Sequence, residues 1–209
     1  MNRTRIAVLV SGGGTNLQAL LDAQSAGNLP DGEIVAVISS NAGAYALERA
    51  RTAGVPAYAV ARRECASQEE FESRISAVLA ECGAELIVLA GFLSILSADF
   101  TKRWPRRILN VHPALIPAFS GKGCYGLRVH EAALAKGVKV TGATVHFVNE
   151  IPDGGEILLQ KAVDVLPGDT PETLQRRVME QAEWVLLPQA AQSVAKAIRE
   201  EKENLHERV

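Results

Sequence analysis

An unbroken apolar run, Ile6-Ala7-Val8-Leu9-Val10, opens the hydrophobic pattern of the chain. With no polar position to face water, such a run fits a strand buried on both faces of a parallel sheet. Gly12, Gly13 and Gly14 interrupt it, and Leu17, Leu20 and Leu21 then recur at helical spacing behind Thr15 or Asn16 as a cap. The alternation continues. Residues 34–38 read as a second strand, 45–53 as a helix stopped by Gly54, and 57–60 as a third strand. Residues 69–81 predict a helix whose apolar stripe is Phe71, Ile75, Val78 and Leu79. Two further strands, 86–90 and 107–111, flank a short helix near 97–103. Repeated strand–helix alternation predicts an α/β fold, a doubly wound, Rossmann-like, mostly parallel sheet.

The texture changes after residue 112. Residues 113–127 hold Pro113, Pro117, Gly121, Gly123 and Gly126, too many breakers for a regular element and long enough for a functional loop. A helix near 128–135 precedes two long strand-like stretches, 139–148 and 156–165, read as an antiparallel C-terminal extension of the sheet. Thr170 and Pro171 then mark the start of a long C-terminal helix reaching about residue 200, which Pro188 is predicted to kink or break. The charged tail, 199–209, is expected to fray. The chain reads as one domain, 1–209, with a phosphate-binding α/β half, 1–112, and a second half, 113–209, of loop, antiparallel strands and helix.

Composition narrows the class. A chain of 209 residues with 47% hydrophobic residues can bury a sizeable core. A net charge of −2 gives no electrostatic case for nucleic acid or an anionic membrane, which leaves small-molecule partners. Cys65, Cys82 and Cys124 lack the spacing of a zinc site or a disulfide framework. No run approaches the ~20 apolar residues of a membrane span, and the N-terminal run is too short for a secretion signal. A cytoplasmic protein is expected. The sequence is compatible with a homodimer without disclosing oligomeric state.

Two features carry chemistry. Ser11-Gly12-Gly13-Gly14-Thr15-Asn16 joins a strand to a helix, where N–H groups and the helix dipole favour an anion. The dinucleotide fingerprint fails because its third glycine would fall at Leu17 and the second strand ends in Ser39-Ser40-Asn41, without an acidic residue. A lone monophosphate fits better, and a tight turn that merely needs glycine is the competing reading. Asn110 and His112 alternate along a strand, so both leave one face at its carboxyl end. An amide donor and an imidazole suit acyl transfer to an amine, which needs an oxyanion donor and a proton carrier; a structural polar pair at a strand edge is the alternative. Asp153, in Pro152-Asp153-Gly154-Gly155, is a good turn residue in its own right. Were the turn to fold beside His112, its carboxylate would favour the imidazolium. His146 reads as core or supporting shell, and His130 and His206 receive no role.

Five segments in order carry a resemblance: VSGGGTNLQ at 10–18, LAGFLSIL at 89–96, LNVHPALIP at 109–117, GATVHFV at 142–148 and DGG at 153–155. Together they resemble the phosphoribosylglycinamide formyltransferases of purine synthesis. The resemblance implies the formyltransferase fold and transfer of a formyl group from 10-formyltetrahydrofolate to the amine of N1-(5-phospho-D-ribosyl)glycinamide, without metal or nicotinamide. It implies catalytic roles for Asn110, His112 and Asp153. Gly14, Thr15 and Asn16 would bind the phosphoribosyl end and Glu183 the ribose hydroxyls. Leu93, Ser94, Ile95, Leu96, Asn110 and Asn149 would meet the folate. Gln68 stands where many members carry a folate-holding arginine, and Ala114 and Ile116 replace the usual Ser and Leu. Rival readings are a formyl-folate hydrolase, a formyltransferase with another acceptor such as an aminoacyl-tRNA, and a non-catalytic nucleotide-binding module.

Overall fold

The computed structural model describes residues 3–206. Among them, seven strands form one sheet: β1 (Thr4–Val10), β2 (Gly32–Ser39), β3 (Ala57–Ala59), β4 (Leu86–Leu89), β5 (Ile108–His112), β6 (Val140–Phe147) and β7 (Ile157–Asp164). Their order is β3-β2-β1-β4-β5-β6-β7. The first five run parallel, and β6 and β7 pair antiparallel. The order reverses between β1 and β4. In open α/β sheets ligands bind beyond the carboxyl ends of the strands at such a switch point.

The helices are α1 (Thr15–Ser25), α2 (Tyr45–Thr52), α3 (Gln68–Glu81), α4 (Ala98–Lys102), α5 (Leu127–Lys136), α6 (Pro171–Val178) and α7 (Trp184–His206). The period-two alternation of the strands divides the core into two layers. Ile6, Val8 and Val10 of β1 pack with Leu17 and Leu20 of α1 and Leu187 and Ala191 of α7. Ala7 and Leu9 face the other way, against Phe71 and Ile75 of α3 and Phe100 of α4. β5 repeats the split: Leu109 and Val111 join the α1/α7 layer, and Ile108 joins the α3/α4 layer. Asn110 and His112 therefore continue the face that begins at Ile108, where the apolar layer gives way to polar side chains.

Three local expectations are corrected. α1 is capped by Gly14 in the left-handed conformation, with no side-chain cap from Thr15 or Asn16. Both lie inside the helix, and Asn16 turns its amide to Glu183 instead. The C-terminal helix does not break at Pro188, which sits within α7. Its irregularity is a π-helical turn upstream, Met179–Glu183, where the Trp184 N–H reaches back to Met179. The tail holds helix through His206, because Arg199 meets Asp31 at 2.7 Å and Lys202 meets Glu85 at 2.8 Å. Residues 207–209 of the expected frayed tail lie outside the described residues.

Candidate active site

The carboxyl ends of β1, β4 and β5 bring three segments to one crevice. The first is the glycine loop. Gly14 has φ +75°, and a Cβ there would sit 2.6 Å from Ala46 Cβ, so both conformation and space require glycine. Arg49 of α2 buttresses the loop by donating from Nε to the Gly13 carbonyl at 2.8 Å. α1 begins without a side-chain cap or an acidic residue in its first turn. Its positive end thus stays uncompensated by the protein, as an anion site requires. Asn16 donates to Glu183 at 2.7 Å, while its own Oδ1 is buried without a partner. Glu183 is buried, and desolvation pushes its pKa up to about 7 against the opposing Asn16 hydrogen bond.

The second segment is the end of β5, which meets β6 in a register that sets Asn110 opposite His146 and His112 opposite Thr144. Directly opposed residues share a face, so these four side chains gather on one side of the sheet. Asn110 Nδ2 lies 3.2 Å from His146 Nε2. Thr144 donates to the Ala114 carbonyl at 2.7 Å and accepts from the Ile116 N–H at 3.1 Å, fixing the start of the loop at 113–126. Farther along, the Phe119 carbonyl lies 2.8 Å from His112 Nε2. Asp153 closes the group. Its Oδ2 lies 3.5 Å from His112 Nδ1 and accepts from the Gly121 N–H at 2.8 Å, and its Oδ1 lies 3.6 Å from His146 Nε2. Burial alone would push the Asp153 carboxyl up. His146 where its Nε2 carries a proton, and in either tautomer the Gly121 N–H and the charge of His112, oppose burial and hold it below the usual carboxylate value. Asp153 also adopts φ 55°, so the residue is both a turn former and a neighbour of His112. At the following glycines the chain runs close to β6: a Cβ on Gly155 would collide with the Phe147 carbonyl.

The third segment, 91–97, is held at both ends. The Leu93 N–H donates to Ser11 Oγ at 2.9 Å, tying it to the glycine loop. At its far end Ser97 donates its N–H and its hydroxyl to the buried carboxylate of Glu72, at 2.6 and 2.5 Å. Gln68 joins this cluster. Its amide donates to Glu72 at 2.7 Å and to the Ile95 carbonyl at 2.9 Å, so it supports the segment from behind. Leu93 and Ile95 point outward, 64% and 67% exposed, whereas Leu96 is buried in the α3/α4 layer. Asn149 bonds within its own loop, to the Gly154 carbonyl and the Ile151 N–H.

These segments line a single cavity of about 490 Å³, which reaches Asn16 and Glu183, Leu93 to Ile95, Asn110, His112 and Asp153. The candidates thus meet in one place, except that Gln68, Leu96 and Asn149 stand outside the lining and Gly14 and Thr15 flank it. The lining also includes Gln175 of α6 and Met179 of the π turn, which sequence reasoning missed because only the packing of the C-terminal segment brings them to the cavity. A larger groove of about 750 Å³ between α1 and α7 contains none of the candidate residues. His130 of α5 is fully buried with neither ring nitrogen partnered; burial, helped by the charge of His112, drives its pKa down to about 4.

Residues 4–190 match the formyl transferase family. The chain belongs to that family. This formyl transferase is 41% identical to the phosphoribosylglycinamide formyltransferase of Haemophilus influenzae over 88% of its own length and 84% of that protein's. Its fold superposes on the crystal structure of glycinamide ribonucleotide transformylase 1 from Symbiobacterium toebii with a TM-score of 0.87. Sequence identity to that structure is 43%, and the match covers 93% of this chain and 89% of the other. It is also 46% identical to the trifunctional purine biosynthetic protein adenosine-3 of Gallus gallus over 93% of this chain, which spans only 19% of that longer protein. No described helix of the formyl transferase is long and apolar enough to cross a membrane.

Proposed function

We propose that this formyl transferase moves the formyl group of 10-formyltetrahydrofolate to the amine of N1-(5-phospho-D-ribosyl)glycinamide, releasing tetrahydrofolate. The observation that carries this reading is the single cavity joining Asn16 and Glu183 beside the glycine loop to Asn110, His112 and Asp153. The outward-facing Leu93 and Ile95 on the third wall fit a flat heteroaromatic ring. The reduced folate supplies the activated formyl carbon, and every other function falls to the chain.

The start of α1, which has no side-chain cap, and the glycine loop hold the phosphate, and Asn16 with Glu183 meets the ribose hydroxyls. Asn110 donates an amide N–H to the oxyanion that forms when the amine attacks. A protonated His112 shares that task, and a water carries the proton from the attacking to the departing nitrogen. Asp153 orients His112 and stays ionised, because its depressed pKa keeps it charged at neutral pH. In the resting arrangement the Phe119 carbonyl occupies His112 Nε2, so the loop at 113–126 yields that N–H as substrate enters.

The test is to incubate the protein with 10-formyltetrahydrofolate, with and without the glycinamide ribonucleotide, and to follow tetrahydrofolate release. Acceptor-dependent release is expected; equal release without the acceptor would move the assignment to a hydrolase. Asn110→Ala and His112→Ala are expected to lower kcat by at least ~10²-fold while the fold is retained. Near-normal turnover by either variant would sink the mechanism.

A further inference from the structure

His146 is 2% exposed and faces Asn110 across the β5–β6 ladder. Its two ring nitrogens meet different chemistry. Nδ1 lies 2.8 Å from the carbonyl oxygen of Phe147, which can only accept. Nε2 lies 3.2 Å from Asn110 Nδ2. A neutral imidazole has one donor nitrogen and one acceptor. The Phe147 carbonyl therefore claims the proton for Nδ1 and leaves the lone pair on Nε2. An amide satisfies that lone pair only by turning its NH₂ group, not its oxygen, toward the ring.

From this geometry we infer that His146 is a positioning residue that sets the orientation of the Asn110 amide. The inference rests on the proposed role of Asn110 as the oxyanion donor. An unanchored amide could equally present its oxygen, which repels a developing oxyanion, so a fixed orientation bears directly on the transition state. Asp153 is the rival claimant for Nε2. Its Oδ1 stands 3.6 Å away, beyond hydrogen-bonding length, and its other oxygen accepts from Gly121. Were the ring protonated on both nitrogens, Nε2 would donate to Asp153 and Asn110 would have to turn its oxygen inward.

Two substitutions separate the ring nitrogens. The longer side chain of His146→Gln carries an amide oxygen out to about the place of Nε2, whereas His146→Asn reaches only the place of Nδ1. His146→Gln is expected to keep kcat within about threefold. His146→Asn is expected to lose about a hundredfold in kcat, the scale of one oxyanion donor, with both KM values nearly unchanged. Equal losses in the two variants, or losses confined to KM, overturn the inference. Nitrogen NMR of the unsubstituted protein at pH 7.5 provides a readout independent of folding in the variants. It is expected to show His146 protonated on Nδ1 alone; protonation on Nε2 overturns the inference. Absence of acceptor-dependent transfer by the unsubstituted protein would refute the proposed function, while the ring spectrum still decides the tautomer.

Discussion

Glu183 is a carboxylate removed from water, with a 2.7 Å hydrogen bond from Asn16 as compensation. Its pKa is about 7 in the folded protein against 4.5 as the ordinary value, so the folded state binds the proton more tightly. Stability from this group is complete below about pH 4.5 and is lost as pH rises through 7. The difference corresponds to about 3 kcal/mol at most. Glu183→Gln keeps an acceptor for Asn16 but cannot ionise. It should melt like the parent protein at pH 5 and at a higher temperature at pH 8.5, while ribonucleotide binding weakens by about tenfold. Thermal melts at both pH values check this, and identical shifts at the two would refute it. Asn110 and His112 were legible as a pair because strand alternation is a local property. Asp153 and Glu183 were legible only through resemblance, since their neighbours are contributed by segments tens of residues away in sequence.

At the scale of elements, Glu72 shows where pattern reading stops. It lies one position from Phe71 and three from Ile75, inside the apolar stripe of α3, and that placement was the one local sign of burial. Its partner Ser97 lies 25 residues on, and nothing in either segment announces the contact. Gln68, which stands at the position of a folate-holding arginine, donates to the Ile95 backbone carbonyl, a contact with no local sign in the sequence. The helices themselves were legible from their apolar period; of the caps read, Thr170 does cap α6 in a reciprocal pair with Thr173, whereas α1 is capped by Gly14 and not by Thr15 or Asn16. The π turn, which ends at Glu183 where the carboxylate meets Asn16 from across the molecule, left no sign in the local pattern. Glu72→Ala leaves the two Ser97 donors unpaired and Gln68 with only its Ile95 partner, and should cost about 1–3 kcal/mol in stability. With the segment at 91–97 loosened, the KM for the folate should rise by about an order of magnitude and the KM for the ribonucleotide should stay fixed. Steady-state kinetics with each substrate varied in turn provides the check, and equal rises in both constants would refute the clamp.

For the molecule as a whole, the question is whether 1–112 and 113–209 are separable units. The packing argues that they are one. Ile6, Val8 and Leu20 share a continuous apolar layer with Val145, Val163, Leu187 and Ala191. α7 stitches the halves further: Thr4 donates to the Ala195 carbonyl at 2.7 Å, Asp31 accepts from Gln192 and Arg199, and Lys202 meets Glu85. Opening the second half would therefore expose the buried face of β1, the central strand of the first half. The two tryptophans allow a direct test, because Trp104 follows α4 in the first half and Trp184 begins α7 in the second. Trp104→Phe and Trp184→Phe each leave one reporter. Denaturant unfolding followed by fluorescence in the two variants should give midpoints that coincide with each other, and with far-UV circular dichroism, once each variant's own stability is taken into account. A reporter that unfolds well before the dichroism signal of the same variant would mean that the halves fold independently, and that the active-site cavity sits on a boundary able to open without global unfolding.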